Sequence, residues 1–435
     1  MSKKEKIGVI TLGCSKNTVD SERILSQLQA NKFEISDDPN TADTVIINTC
    51  GFIDAAKEES VDTILEAIEL KKRGDIKKVI VAGCLSERYK EDLKNEIPEV
   101  DSFFGTEDYE GIIKNLGGEL KYELLGERVV TTPKHYSYLK ISEGCDNPCS
   151  FCAIPLMRGG HVSKPIESLV DETKRLADKG VKELVIIGQD TTDYGKDIYS
   201  KRNTAELLTK LSEVDGIEWI RLLYAYPSHF PDELIDVLAD NPKVLKYLDM
   251  PLQHISDPVL KSMRRGITSR RTKELLYKLK ERVPGITLRT TFITGYPNEG
   301  EAEFNELVDF VKDIRFDRFG VFNYSIEETT PAYILGDTIS PEEKEERKRI
   351  LMELQSEISL EKNRELVGTR MNVLVDDIEG EYYVARSERD APEVDGEVLI
   401  KAENDKLLKL GKFYAVDIYD CNEYDLYGNI ANTRG

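Results

Sequence analysis

The sequence predicts an α/β protein in three parts: an N-terminal parallel α/β domain, a central partial (βα)6 barrel and a small C-terminal antiparallel β-barrel. Three observations carry this reading. Short β-branched runs alternate with helical patterns from residue 7 to about residue 324. The segment Glu143-Gly-Cys-Asp-Asn-Pro-Cys-Ser-Phe-Cys152 follows the first strand pattern of the central part. Beyond Gly368 the pattern changes to short alternating strands separated by turns. The expected boundaries are 5–116, a linker at 117–134, then 135–366 and 367–435.

In the first part an apolar run at 7–14 ends in a polar turn and leads into a helical pattern from Thr18 to Ala30. The theme recurs at 43–50, followed by a helix to about Lys72, and again at 77–84. Each run ends in Gly-Cys or Thr-Cys, at Cys14, Cys50 and Cys84. Ligands bind at the carboxyl ends of the strands in a parallel sheet, so the three thiols should converge. One such cysteine alone reads as a small buried residue. Three at the same structural position read as a metal site, an iron–sulfur cluster with one iron left open.

The segment at 117–134, with Gly-Gly and Thr-Thr-Pro, reads as an extended linker or edge ribbon. Expected strands of the central part are 136–142, 183–188, 219–226, 245–250, 286–294 and 318–324, with helices at 166–179, 204–214, 231–240, 269–282 and 300–313. Six βα units are two short of a closed eight-stranded barrel. A charged helix runs from Ser340 to about Val367, its 341–349 stretch reading as a solvated face. Four strands are expected in the terminal barrel: 371–375, 382–386, 396–400 and 413–419.

Cys145, Cys149 and Cys152 are spaced C-x3-C-x2-C. Three thiolates in one loop can each take one iron of a cube, leaving a fourth iron free for a small molecule. Structural zinc needs four ligands, and only His161, past a Gly-Gly, is near. A disulfide would strand the third thiol. Cys421 reads as structural, His229 and His254 stay unassigned, and the role of Arg158 is open. The net charge of −21 weakens any case for broad nucleic-acid binding and favours a basic partner. Residues 366–435 hold 8 Lys+Arg against 15 Asp+Glu, so the barrel has no basic composition either. Seven cysteines, three of them clustered and unpairable, argue for a reducing compartment. With no apolar run of membrane length and no signal-like start, the expectation is a cytoplasmic protein.

The cysteine loop resembles the radical S-adenosylmethionine (SAM) superfamily. There the open iron chelates SAM, and an electron from the cluster cleaves the sulfonium to a 5′-deoxyadenosyl radical. The resemblance implies that Phe151 lies close to the adenine and that the polar set Gly188, Gln189 and Asp190 contacts SAM. Gln253, in Met250-Pro-Leu-Gln-His-Ile-Ser256, ends another strand where a nucleoside could lie. Thr11-Leu-Gly-Cys-Ser-Lys-Asn17, Asn48-Thr-Cys-Gly-Phe52, Ala82-Gly-Cys84 and Ile154-Pro-Leu-Met-Arg-Gly159, with a terminal TRAM-like barrel, resemble the methylthiotransferases over the whole chain. That implies two 4Fe-4S clusters, an auxiliary one on Cys14, Cys50 and Cys84 and a radical one on Cys145, Cys149 and Cys152. Gly188-Gln-Asp-Thr-Thr192 and Arg386-Ser-Glu-Arg-Asp-Ala-Pro-Glu-Val-Asp-Gly396 resemble the members that modify an aspartate of ribosomal protein S-twelve of the small subunit. The implied partners are that basic protein and a reductant such as flavodoxin or ferredoxin. The alternative is a tRNA adenosine methylthiotransferase with the same cofactors.

Overall fold

The structure, a computed structural model, describes residues 5–124, 126–402 and 407–431, so the last four residues of the expected third part lie outside it. The chain divides into two compact units. The first comprises the residues up to Thr131 with Tyr138–Asp146 and Cys152–Val162; the second comprises Thr132–Ser137, Asn147–Phe151 and the chain from Ser163 onward. Among the described residues no helix is long and apolar enough to cross a membrane.

The first unit is built on a five-stranded parallel sheet of β1 (Lys6–Thr11), β2 (Glu34–Ile35), β3 (Thr44–Thr49), β4 (Lys78–Gly83) and β5 (Ser102–Phe103), in the order β2-β1-β3-β4-β5. Helices α1 (Ser15–Ala30), α2 (Asp54–Arg73) and α3 (Cys84–Glu96) make the crossovers. The strands read as unbroken apolar runs because both faces are covered. Val45, Ile47, Val79 and Val81 pack with Ile64 and Ile68 of α2. Ile46 and Ile80 pack on the other face with Ile24 and Leu28 of α1. Strands β1, β3 and β4 stop short of the expected ends, so Cys14, Cys50 and Cys84 each lie just beyond a strand: Cys14 caps α1 and Cys84 opens α3.

The stretch expected as a linker is tied down. Arg128 forms an ion pair at 2.9 Å with Glu22 of α1, both side chains 1% exposed, and donates to the Tyr138 carbonyl at 2.7 Å. A carboxylate buried on α1 needs a cation, and the passing chain supplies it.

The second sheet has six strands in chain order: β6 (Tyr136–Lys140), β7 (Glu183–Ile187), β8 (Trp219–Leu222), β9 (Val244–Asp249), β10 (Thr287–Thr294) and β11 (Arg318–Asn323). Strands β7 to β11 pair in parallel. β8 ends four residues before the expected Tyr226, where Tyr224 takes a left-handed φ of 58°. Helix α4 (Pro341–Leu366) is capped by the Ser340 hydroxyl, which accepts from the Glu343 amide at 3.2 Å. The expected solvated face at 341–349 is corrected: Lys344 and Arg347 are buried. Lys344 donates to the Tyr324 carbonyl at 3.0 Å, and Arg347 to Glu299 at 2.6 Å. These long side chains satisfy polar groups at the sheet surface, which helical periodicity cannot reveal.

The terminal barrel is closed, in the order β12 (Arg370–Glu379), β13 (Tyr382–Ser387), β14 (Val398–Lys401), β16 (Leu426–Ile430), β15 (Phe413–Cys421). Four of its five pairings are antiparallel, and β14–β16 is parallel. Strand β16 was not among the four expected. Its Gly428 is required by closure, since a Cβ there would collide with Val416. Cys421 packs against the barrel core, as expected of a structural residue.

The barrel lies against the amino-terminal ends of the second sheet. Arg386 of β13 donates to Glu183 at 2.7 Å and to Asp376 at 2.5 Å, while Arg221 of β8 holds the other Glu183 oxygen at 2.8 Å. In the loop after β13, Asp395 accepts from Tyr247 at 2.6 Å and Asp390 from Arg318 at 2.9 Å. Burial alone would raise the Glu183 carboxyl, but Arg386 and Arg221 hold it below its ordinary value.

Candidate functional site

The first unit brings Cys14, Cys50 and Cys84 together. Gly13, at φ 88°, lies so close that a Cβ on it would sit 2.9 Å from the Cys50 sulfur. The turn before Cys14 therefore needs glycine for both its conformation and its space. Two asparagines from the motifs fasten the strand ends. Asn17 donates to the carbonyls of Leu12 at 2.7 Å and Thr49 at 3.0 Å. Asn48 donates to the Asn17 carbonyl and the Ser21 hydroxyl, each at 3.0 Å. The Ser60 hydroxyl accepts from the Cys50 amide at 3.1 Å and donates to the Cys50 carbonyl at 2.9 Å.

Cys14 is exposed, whereas Cys50 and Cys84 are 8% and 5% exposed. Burial pushes the Cys84 thiol up to about 12; Arg158 pulls it down, and Cys14 and Cys50 add to the rise. Burial likewise raises Cys50, with Cys14 adding to it. Cys14 and Cys50 thus act electrostatically on Cys84, and Cys14 on Cys50, though they follow three different strands. A donor set of three thiols with no carboxylate or imidazole among them suits a soft metal centre, and a cation bound there would offset the cost of burying thiolates.

The same unit contains a buried charge network. Lys140 is fully buried and donates to Asp20, to Glu107 at 3.1 Å and to Glu143 at 2.5 Å. Arg158 joins it through Glu143 at 2.8 Å and Asp20 at 3.1 Å. Asp20, Glu107 and Glu143 are near enough to one another for a metal, but the ammonium of Lys140 lies among them. Burial would raise Asp20, yet Lys140 and Arg158 hold it well below the carboxylate range. Glu143 is two residues before Cys145, whose amide donates to the Gly159 carbonyl at 3.1 Å. Gly144 turns at φ 68° where a Cβ would strike the Gly160 carbonyl.

The second unit holds the middle of the C-x3-C-x2-C loop. The Cys149 sulfur is 3.2 Å from Arg265 Nη1 and 3.5 Å from the Tyr226 hydroxyl, and the Arg265 guanidinium stacks 4.2 Å above the Tyr226 ring. Ser150 is held on three sides: its amide donates to Met263 at 3.0 Å, its hydroxyl to Ser262 at 2.7 Å, and its carbonyl accepts from Ala332 at 2.7 Å. Phe151 packs with Val259, Met263, Tyr296 and Tyr324.

Of the residues expected to contact a nucleoside cofactor, Gly188 and Gln189 directly follow β7. Asp190 is 2% exposed and uses both oxygens internally: Oδ1 accepts from the Thr192 amide at 2.8 Å and hydroxyl at 2.6 Å, Oδ2 from Asn147 at 2.6 Å. It therefore fixes the cysteine loop. Gln253 differs. Its φ of 73° is strained for a residue with a side chain, and its Oε1 is buried with no hydrogen-bond partner. An orphaned acceptor at a strand's carboxyl end fits a ligand with a donor.

His254 is structural: its Nδ1 accepts from the Ser256 amide at 3.0 Å and its Nε2 lies 3.2 Å from Glu299. His229 is exposed, with φ 57°. Arg265, Tyr226 and Asn147 were not expected. Arg264-Arg265-Gly266 carries no signature, and only the fold takes the second arginine to Cys149.

Comparison with known proteins agrees with this arrangement. Residues 6–105 match the Uncharacterized protein family UPF0004, residues 139–311 the Radical SAM superfamily and residues 367–431 the TRAM domain. Among solved structures, the radical S-adenosylmethionine methyltransferase TsrM from Kitasatospora setae is similar in fold. Its TM-score is 0.56 at 14% identity, over 91% of this chain and 82% of that one. Fold and cysteine loop together define a radical SAM enzyme. Curated relatives narrow the class. The ribosomal protein uS12 methylthiotransferase RimO of Chloroherpeton thalassium is 54% identical, over 99% of both chains. Those of Flavobacterium johnsoniae and Bacteroides fragilis are 53% and 50% identical, over 99% and 98% of this chain and 99% and 100% of theirs. The chain belongs to the RimO family.

Proposed function

We infer that this enzyme is a SAM-dependent methylthiotransferase that places a methylthio group on the β-carbon of an aspartate in ribosomal protein uS12. The carrying observation is the pair of three-cysteine sets, one gathered from three strand ends and one held in a single loop. The reading assigns Cys145, Cys149 and Cys152 to one 4Fe-4S cluster and Cys14, Cys50 and Cys84 to another. When bound, the clusters and SAM supply electron transfer, radical generation and sulfur for C–S bond formation, chemistry beyond the reach of protein side chains.

The protein's share is placement. Asn17, Asn48 and Ser60 hold the strand ends that carry Cys14, Cys50 and Cys84. Burial of Cys50 and Cys84 excludes water from sulfur chemistry on that side. Arg265 and Tyr226 orient the Cys149 sulfur, and Asp190 holds Asn147 two residues earlier. Gln253 Oε1 is available to accept a hydrogen bond from SAM. A low-potential reductant of the flavodoxin or ferredoxin kind would supply electrons.

The acidic terminal barrel supports a basic ribosomal protein over tRNA as substrate, because nucleic-acid binding draws its affinity from Lys and Arg on phosphate. The test is anaerobic reconstitution, incubation with uS12, SAM and reductant, and mass spectrometry of the product. A methylthio gain on an aspartate is expected. No gain there, with the same modification on tRNA adenosine, would overturn the substrate.

A further inference from the structure

Arg158 is outside both cysteine sets, at the end of the short helix Ile154–Arg158, and is 7% exposed. Its guanidinium reaches three groups. Nη2 donates to Asn17 Oδ1 at 2.6 Å, both terminal nitrogens approach Asp20 Oδ2 at 3.1–3.2 Å, and Nη1 donates to Glu143 Oε1 at 2.8 Å. Asn17 Oδ1 also accepts from the Cys84 sulfur at 3.8 Å. One planar cation therefore touches a carboxylate two residues before Cys145 and the amide that contacts Cys84.

Its charge also reaches the thiols. Through Asn17 Oδ1, which it grips at 2.6 Å, the guanidinium lies one side chain away from the Cys84 sulfur. Lys140, the other buried cation on Asp20, turns to Glu107 and Glu143 instead of Asn17. A buried guanidinium is costly unless it is paired, and Asp20 and Glu143 pair it. Its orientation leaves Nη2 facing Asn17 and the sulfur beyond.

We propose that Arg158 is a positioning residue that compensates charge at the Cys14, Cys50 and Cys84 site, stabilising the reduced form of a cluster held there. The proposal rests on the reading that this site holds a cluster. Three thiolates outweigh the positive charge of an oxidised four-iron core by one, and each added electron deepens the excess. A fixed cation in a low-dielectric surrounding favours the more negative state, and net charge and hydrogen bonding around the sulfurs set such potentials. A guanidinium suits this because it stays protonated at any working pH and its fork engages Asn17, Asp20 and Glu143 together.

The experiment uses the full chain with Cys145, Cys149 and Cys152 all replaced by alanine, reconstituted anaerobically with iron and sulfide. Iron per chain is measured, and the reduction potential is followed by electron paramagnetic resonance during titration with dithionite. Arg158→Gln should keep its iron and shift to more negative potential, while Arg158→Lys, which retains the charge, should stay near the parent. An Arg158→Gln chain with full iron and an unshifted potential overturns the proposal. If Arg158→Gln loses its iron, Arg158→Lys decides. Iron retained at the parent potential supports charge compensation; iron lost there too means a structural role only and overturns it. A parent chain that binds no iron defeats the cluster reading itself, and the proposal falls with it.

Discussion

The two ends of the second sheet are built to opposite rules. At the amino-terminal end, Glu183 is shared between Arg221 and Arg386, Asp395 between Tyr247 and Arg289, and Asp390 pairs with Arg318, all closed over by the terminal barrel. At the carboxyl end, Tyr224 and Gln253 hold left-handed backbone, the Oε1 of Gln253 and the hydroxyl of Tyr324 are buried without hydrogen-bond partners, and a cysteine faces an arginine. Paired charge marks where the fold is fastened. Unpartnered polar atoms occur at both ends, Thr287 Oγ1 and Arg318 Nε at the amino-terminal one, so it is strain and an orphaned acceptor together, at Gln253, that mark where a ligand is expected. The contrast predicts that substitutions at one end damage stability and those at the other damage chemistry.

The largest effect falls at the carboxyl end. Cys149→Ala should reduce turnover to background and, on the proposed reading of two clusters, remove about half of the reconstituted iron, with little change in melting temperature of the metal-free chain. Iron analysis and circular dichroism check both parts. At the other end Arg386→Ala should cost about 3–5 kcal/mol, because it leaves Glu183 and Asp376 buried and short of a partner. Chemical denaturation measures this, and an Arg386→Ala chain as stable as the parent would erase the contrast. Gln253→Ala should raise KM for SAM about tenfold to a hundredfold, the worth of one hydrogen bond to a charged group, and leave the denaturation midpoint in place. A matching loss of stability would move Gln253 to the structural class.

The smallest effect is in the pH dependence. Glu183 and Asp20 have folded pKa values held below their ordinary ones, so their contributions are complete above the unfolded carboxylate value of about 4. Those contributions are lost as pH falls from there through the folded values. Asp395, raised chiefly by burial, works in the opposite sense and gains stability as it protonates. The acid-side fall in melting temperature should therefore be shallower in Arg386→Ala, where Glu183 has lost one of its two cations. An unchanged slope would show that the Glu183 pairing contributes nothing at acid pH.

Legibility from sequence followed the distance over which each feature is specified. The C-x3-C-x2-C loop is contained in one short segment, so its chemistry could be read directly. Cys14, Cys50 and Cys84 could be gathered because each ends the same kind of β-branched run, and strand ends in a parallel sheet meet at one edge. Arg158 was marked by its motif but its role stayed open, and Arg265 carried no mark, since each reaches its cysteine site through the folding of distant segments. The motif from Arg386 to Gly396 stood out only by resemblance; its work in fastening the barrel depends on Glu183, Tyr247 and Arg318. Lys344 and Arg347 were misjudged because charge pattern on a helix says nothing about a carbonyl or carboxylate waiting beneath it.

The central claim is that the two cysteine sets do different work in one reaction. It is tested most directly by following two products at once, 5′-deoxyadenosine and methylthiolated uS12, in Cys84→Ala and Cys149→Ala. The account predicts that Cys84→Ala still forms deoxyadenosine but no methylthiolated protein, whereas Cys149→Ala forms neither. Loss of deoxyadenosine in Cys84→Ala, with the iron of the other site intact, would contradict it.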